Sequence, residues 1–316
     1  MSANAIHAET NTTNTDGNLS PATLKFLWLE ITKQCNLACR HCYVKSSPRA
    51  ELLGTMTEQD WIRLIHEARA VGCGSVQFIG GEPLVHPSFL LLLRVAHAVG
   101  MEVEVFTNAT LLENDTVDVF QTLGTRVAVS FYAEDAAIHD RVTSRAGSNV
   151  HTKKGICLLV DRGVDVRVGV IEQGENSAVI EQTVEFVRSL GVEHVGVDHI
   201  RSVGRGSREG STGWKKNPMA TLCGQCYKGR LAVDINGDAF PCVFARAFPV
   251  GNVREGLSRL LGDDPISTFR LDQRQFLDES KVGLNEDCDP GPPCRPNCHP
   301  TSCDPSEWCN PQRRII

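Results

Sequence analysis

Phe26-Leu-Trp-Leu-Glu-Ile31 runs, after only Thr32-Lys-Gln, into Cys35-Asn-Leu-Ala-Cys39-Arg-His-Cys42-Tyr43. The apolar run reads as a buried strand, and three thiols crowd the loop that leaves its C-terminal end. Five further runs carry the same β-rich signature: Ser75–Ile79, Glu102–Thr107, Arg126–Tyr132, Val166–Ile171 and His194–Ile200. Helical patterns separate them. Trp61, Leu64, Ile65 and Ala68 repeat at helical spacing, and Thr57 with Asp60 supplies a capping box. Ile180, Val184 and Val187 form another stripe with Gly191 as its C-cap, and Gly124 ends a further helix the same way. This alternation predicts an α/β fold with a parallel sheet and right-handed crossovers. Six strand–helix units fall short of the eight that close a barrel, so a partial (β/α)6 barrel over 24–205 is expected. Its chemistry belongs at the C-terminal strand ends.

The flanks read differently. Residues 1–23 are polar and rich in Asn and Thr, which predicts a disordered tail, and 206–219 read as a polar, Gly-containing linker. Within it and just before it, Gly204-Arg-Gly206 reads as a flexible joint. Residues 220–316 form a small Cys-rich part with one hairpin, Leu231–Ile235, an Asn236-Gly237 turn and Asp238–Phe244. Residues 287–311 are dense in Cys and Pro and too poor in apolar side chains to fold on a core alone, so bound metal must supply the stability.

The chain has 316 residues and a net charge of −6, which argues against a nucleic-acid groove. It lacks any run of eighteen apolar residues, so no membrane span is expected, and its N-terminus lacks a signal-peptide pattern. A cytoplasmic location follows as the expectation. The thirteen cysteines are clustered: three at 35–42 and eight at 223–309, with Cys73 and Cys157 apart as buried, inert thiols. In a chain neither small nor secreted, such clustering points to metal or redox chemistry rather than to a disulfide framework.

Three thiolates in eight residues can hold three irons of a cubane cluster and leave the fourth open to a small molecule. A zinc knuckle with His41 as fourth ligand is the alternative on spacing alone. At these residues the chain resembles the radical S-adenosylmethionine superfamily, whose signature is CxxxCxxC followed by an aromatic residue. The likeness continues at Gly80-Gly81-Glu82-Pro83, similar to that superfamily's GGEP motif, and at Thr107-Asn108 on the end of the third strand. The resemblance implies that Cys35, Cys39 and Cys42 ligate a 4Fe–4S cluster and that S-adenosylmethionine chelates its open iron. Reductive cleavage then gives methionine and a 5′-deoxyadenosyl radical that takes a substrate hydrogen. It further implies that Gly80 and Gly81 admit the cofactor's amino group, that Glu82 accepts from it, and that Tyr43 packs beside the adenine. Asn108 is a cofactor contact on the same grounds. Ser130 is a candidate ribose contact and Arg145 a candidate partner of the cofactor carboxylate.

The eight C-terminal cysteines resemble the SPASM extension of radical enzymes, which holds auxiliary 4Fe–4S clusters. The chain departs from that pattern at Asn285, three residues before Cys288, where the pattern has cysteine. The resemblance implies one cluster on Cys223, Cys226, Cys242 and Cys298, and a second on Cys288, Cys294, Cys303 and Cys309. Alternatives are a structural zinc site, or a tail cysteine that stays free to donate a hydrogen atom, as an epimerase needs. Cys223–Cys226 as a thioredoxin-like pair is disfavoured because no strand leads into a helix there.

Two substrate classes remain open. One is a ribosomally made precursor peptide that is oxidised or cross-linked; because few residues precede the first strand, its recognition is expected from a separate leader-binding protein or from the Cys-rich part. The other is a small natural product, an aminosugar or aminocyclitol, that is oxidised or epimerised. Activation of a sulfatase by oxidation of a Cys or Ser is a lesser reading. A flavodoxin- or ferredoxin-type donor would supply the electron in each. Asp198, His199, Arg201 and Arg205 are candidates to face the cavity or to form rim salt bridges. Metal analysis of protein reconstituted without oxygen should find about twelve irons and no zinc per chain. Cys298→Ala should lower the iron; unchanged iron would remove Cys298 from the ligand set.

Overall fold

The computed structural model describes residues 24–208, 218–222, 226, 229–262 and 264–281. The predicted disordered tail, the linker's residues 209–217, and Cys223, Cys288, Cys294, Cys298, Cys303 and Cys309 lie outside them.

Six parallel strands form the body: β1 (Phe26–Glu30), β2 (Ser75–Ile79), β3 (Glu102–Thr107), β4 (Arg126–Phe131), β5 (Val166–Glu172) and β6 (His194–His199). Helices α1 (Glu58–Ala70), α2 (Phe89–Ala98), α3 (Asn114–Leu123), α4 (Ala136–Thr143), α5 (Ser148–Asp161) and α6 (Ile180–Ser189) connect them, α4 and α5 both lying between β4 and β5. The strands pair in chain order from β1 to β6. With right-handed crossovers, that order lays every helix on the same face, as in a barrel and unlike a doubly wound sheet. Among the described residues the sheet does not close: β6 is an edge, and β1 pairs on its other side with β7 (Arg230–Val233). The architecture is the expected partial (β/α)6 barrel.

Strand periodicity decides the two faces. Leu27 and Leu29 of β1, Phe78 of β2, Val105 of β3, Val129 of β4 and Val168 of β5 join Trp61, Leu64, Leu92, Phe120, Ile156 and Val187 of the helices in the main core. For α1 this burial outweighs its surface pairs. Each buried Leu or Ile contributes ~2 kcal/mol, against a few tenths for an exposed pair such as Arg63–Glu67. The predicted capping box is present: Thr57 Oγ1 accepts from Asp60 N, and Thr57 N donates to Asp60 Oδ2. The inner face carries Phe26 and Trp28 of β1, Ile79 of β2, Ala232 of β7, and Phe240. Beside them Glu104 receives both Nε and Nη2 of Arg167 at 2.8 Å, and also the amide of Gln77.

The predicted hairpin exists with shorter strands, β7 and β8 (Asp238–Phe240), and β8 pairs with β9 (Gly251–Asn252). It extends the barrel sheet itself, because β7 runs parallel to β1. Cys73 is buried as expected, but Cys157 is only half-buried: it lies on α5 away from the stripe formed by Thr152, Gly155, Ile156 and Leu159.

His139 of α4 is wedged between the rings of Phe131 and Tyr132, with centroids 4.9 and 5.3 Å away. Burial lowers its pKa to about 4 from the ordinary 6.5, outweighing the nearby Asp140 charge and a backbone contact with Ala133. The unfolded chain therefore takes up this proton before the folded one does. The contribution is fully present above about pH 6.5 and is lost as the pH falls toward 4. His139→Phe keeps an aromatic ring and removes the titrating group. In urea unfolding at a series of pH values, it should lose less stability than the parent between pH 6.5 and 4.

Candidate active site

The loop after β1 carries the three clustered thiols over the C-terminal strand ends. Its backbone is fastened on several sides. Cys35 N donates to Ser47 O, Ala38 N to Thr143 O and Arg40 N to Val142 O, the last two tying the loop to the end of α4. From β2, Gly81 N donates to Thr32 O at 2.7 Å and Glu82 N to Gln34 O at 2.9 Å. Gly80 and Gly81 are required by this docking: a Cβ on Gly81 would lie 2.1 Å from Gln34 O, and one on Gly80 2.5 Å from Thr32 O. Space for the loop's own backbone is thus a reason for these glycines that needs no ligand.

Glu82 is fully buried, and its carboxylate is engaged by protein donors. Oε1 accepts from Leu84 N and the Thr107 hydroxyl, and Oε2 from Asn108 N at 2.8 Å. Burial pushes its pKa up to about 7 against these donors. Arg145 Nη1 donates to Asn36 O at 2.8 Å, so it lies against the cysteine loop. Tyr43 is half-buried, packs edge-on against Phe244 at 5.5 Å, and has the Arg246 guanidinium over its ring. Ser130 lies on β4 two residues before Tyr132, with which it interacts.

The thiols suit a bound cation. Burial raises Cys35 well above its ordinary range and pushes Cys39 up to about 12, with neighbouring charge from Glu82 or Cys42 adding to it. Their mutual influence shows the sulfurs to be neighbours. Backbone amides point at two of them, Leu37 N at Cys35 Sγ and Ser46 N at Cys42 Sγ, both at 3.3 Å. Amide donors around soft thiolates suit an iron–sulfur cluster or zinc, and the cation is what would hold these sulfurs ionised. His41, the alternative fourth ligand, packs its ring edge-on to Tyr132 at 5.1 Å, and burial lowers its pKa to about 4, which keeps it neutral. Among the described residues no group of three or more Cys, His, Asp or Glu side chains has the geometry of a metal site.

The family model of the Radical SAM superfamily matches residues 29–187, half of the chain. The chain belongs to the radical SAM superfamily. Membership brings S-adenosylmethionine and a 4Fe–4S cluster as cofactors. Among relatives of this radical SAM chain, the "Antilisterial bacteriocin subtilosin biosynthesis protein AlbA" of Bacillus subtilis (strain 168) is 32% identical over 179 residues, 56% of this chain and 40% of that protein. An "AdoMet-dependent heme synthase" of Methanosarcina barkeri is 29% identical over 56% of this chain and 51% of its own. The "PqqA peptide cyclase" of Rhodopseudomonas palustris is 28% identical over 56% of this chain and 47% of its own. The chain thus spans about half the length of the curated relatives it matches. Streptococcus suis SuiB bound to its precursor peptide SuiA superposes with a TM-score of 0.66 at 17% identity, over 78% of this chain and 67% of that one. The anSMEcpe structure with bound AdoMet and the Cp18Cys peptide gives 0.62 at 14%, over 84% and 85%. These two likenesses establish the shared fold.

The candidates for the cavity or for rim salt bridges divide in the radical SAM site. Arg205 clamps the cysteine loop: its Nε donates to Cys39 O at 2.8 Å, Nη2 to Ser46 O at 2.7 Å and its backbone N to Cys42 O at 2.9 Å. It faces the loop backbone rather than a cavity. The Gly204–Gly206 segment is accordingly no flexible joint. A Cβ on Gly204 would sit 2.2 Å from Tyr43 O, and one on Gly206 2.5 Å from Arg201 O. Asp198 pairs with Arg201 at 3.0 Å and His199 with Glu172 at 3.2 Å, the rim-bridge alternative. Glu30, the buried charge in an apolar strand, was the legible signal for its partner Arg246, which reaches it from beyond the hairpin. In the same segment Cys226 Sγ and Cys242 Sγ stand 3.3 Å apart, too far for a disulfide and near enough to share one metal.

Gly81→Ala must displace Gln34 and with it the cysteine loop. We expect overpacking to cost roughly 1–3 kcal/mol and iron incorporation to fall sharply while far-UV circular dichroism is kept. Full iron content in this variant would contradict the docking role.

Proposed function

We propose that this chain uses the Cys35–Cys39–Cys42 loop to generate a 5′-deoxyadenosyl radical, with which it oxidises or cross-links a residue of a ribosomally made precursor peptide. The observation that carries the radical chemistry is the loop itself: three neighbouring thiols, Cys35 buried and Cys39 and Cys42 half-buried, on the C-terminal strand ends, locked against Gly80-Gly81. When bound, the cluster and S-adenosylmethionine supply one-electron cleavage of the sulfonium C5′–S bond.

The protein's own residues orient and shield. Cys35, Cys39 and Cys42 hold the cluster; Arg205, Gly81 and the α4 end keep the loop rigid. Ser130, Arg145, Tyr43 and Asn108 face or touch the loop's neighbourhood and are proposed as cofactor contacts. Pre-setting that geometry is worth much of a radical abstraction, because the reacting C–H must be held within contact distance. The auxiliary ligand sets are proposed as Cys223, Cys226, Cys242 and Cys298, and Cys288, Cys294, Cys303 and Cys309. The 3.3 Å approach of Cys226 and Cys242 supports placing those two in one set.

Peptide modification is favoured by the matches to AlbA, to a PqqA peptide cyclase and to SuiB with its SuiA peptide. A leader-binding protein and a flavodoxin- or ferredoxin-type donor are the proposed partners, and the reducing cytoplasm the proposed setting. The heme synthase relatives keep a small-molecule substrate in view, for which an aminosugar or aminocyclitol is the runner-up. With a strong reductant and reconstituted enzyme, candidate precursor peptides should stimulate 5′-deoxyadenosine release. Stimulation by aminosugars and not by peptides would transfer the assignment to the second class, and no release under any condition would end the radical reading.

A further inference from the structure

The turn after β3 aims one amide at the cysteine loop. Asn108 N donates to Glu82 Oε2 at 2.8 Å, and Asn108 O accepts from the Thr152 hydroxyl of α5 at 3.0 Å. Its side-chain Oδ1 accepts from Thr110 N at 3.0 Å and from the Thr110 hydroxyl at 2.5 Å. A backbone N–H can only donate, so the atom facing Thr110 must be the oxygen and the NH₂ group must face the other way. That NH₂ group meets Asn36 Oδ1 at 2.9 Å and Cys35 Sγ at 3.6 Å. Asn36 is itself held, through its Nδ2, by the Thr110 hydroxyl at 2.6 Å.

The turn is strained in order to do this. Ala109 sits at φ +59, a left-handed conformation that a residue with a Cβ adopts only under strain. It is buttressed from α5, where the absence of a side chain on Gly155 leaves room for Ala109 O; a Cβ there would lie 2.2 Å from that oxygen. Strain retained in a rigid setting beside a reactive centre is a reason to ask what it positions.

We propose that Asn108 sets the reduction potential of the cluster held by Cys35, Cys39 and Cys42, by donating an amide hydrogen bond to Cys35 Sγ. The inference rests on the radical-site reading above. A donor aimed at a ligating sulfur stabilises the more negative, reduced cluster and so raises its potential. The buried Glu82 carboxylate acts on Cys35 in the opposite sense. Asn108 stands between the two, with its backbone N–H on the carboxylate and its side-chain amide on the sulfur. Asn108 is in this role a positioning residue for electron uptake.

The test is an EPR-monitored redox titration of the reconstituted holoenzyme with Ti(III) citrate, without substrate. It follows the reduced-cluster signal that changes when S-adenosylmethionine is added, which separates this cluster from any auxiliary one. Asn108→Asp keeps the acceptor for Thr110 and loses the donor; Asn108→Leu loses both; Thr110→Ser keeps the hydroxyl that orients the amide. The proposal expects both Asn108 variants to titrate at a more negative potential than the parent, with Thr110→Ser unchanged. Unshifted or raised potentials in both Asn108 variants, at parental iron content, would overturn it while leaving the radical reading intact. Absence in the parent of any signal that responds to S-adenosylmethionine would take down the radical reading and this inference with it.

Discussion

Desolvation of two of the loop thiols, Cys35 and Cys39, is the constraint from which the rest of the site follows. A ligating sulfur must be ionised, yet desolvation raises Cys35 far above its ordinary range and pushes Cys39 up to about 12. Amide donors at 3.3 Å soften this but do not reverse it. Only a cation in the midst of the sulfurs makes thiolate the stable form, so metal binding and loop order are thermodynamically linked. The protein reduces the ordering cost by building the loop in advance. Backbone bonds from β2, from the end of α4 and from Arg205 fix it from separate directions. A preformed loop loses little entropy when the metal arrives, and it presents its sulfurs in one geometry.

What the sequence disclosed and what it withheld divide along sequence separation. Strand positions were legible because buried parallel strands are continuous apolar runs, and the Thr57–Asp60 box because a cap is a three-residue event. The CxxxCxxC loop and the GGEP turn were legible as motifs. Their placement at successive strand ends follows from β1–β2 pairing in register, Glu30 against Ile79. Arg205 was not legible as a clamp, since its bonds go to backbone carbonyls 159 and 166 residues away, and any side chain leaves a carbonyl oxygen in place. For the same reason, the glycines at 204 and 206 read as freedom when they serve close approach. The hairpin's turn was local and visible, whereas the pairing of β7 with β1 joins segments far apart in the chain, Phe26 with Arg230, and has no signature in either strand alone.

That pairing brings a second constraint to the inner face. Glu30, at the C-terminal end of β1, is almost fully buried, and burial, only partly offset by Arg246, holds its carboxyl above the ordinary range. Arg246 reaches it from the segment after Cys242, donates through Nε to Val243 O, and covers the rings of Tyr43 and Phe240. A buried pair of this kind adds little net stability compared with an apolar replacement, yet removing one partner typically costs about 3–5 kcal/mol. Its physical effect is therefore on geometry. The charge of Glu30 has its partner only when residues 243–246 sit against Tyr43, so intermediate placements of that segment are penalised.

Cys42 and Cys242 each lead directly into this contact, through Tyr43 on one side and Val243–Phe244 on the other. One aromatic layer, with ring centroids 5.5 Å apart, joins the two segments. Tyr43 is thus committed to packing between the barrel loop and the Cys-rich part, and Arg246 supplies a cation over its face. An alteration at Glu30 would reach the 35–42 loop through that ring without touching any sulfur. The Glu30–Arg246 pair and the Tyr43–Phe244 contact thus tie the segments after Cys42 and Cys242 to the same buried charge that β1 carries.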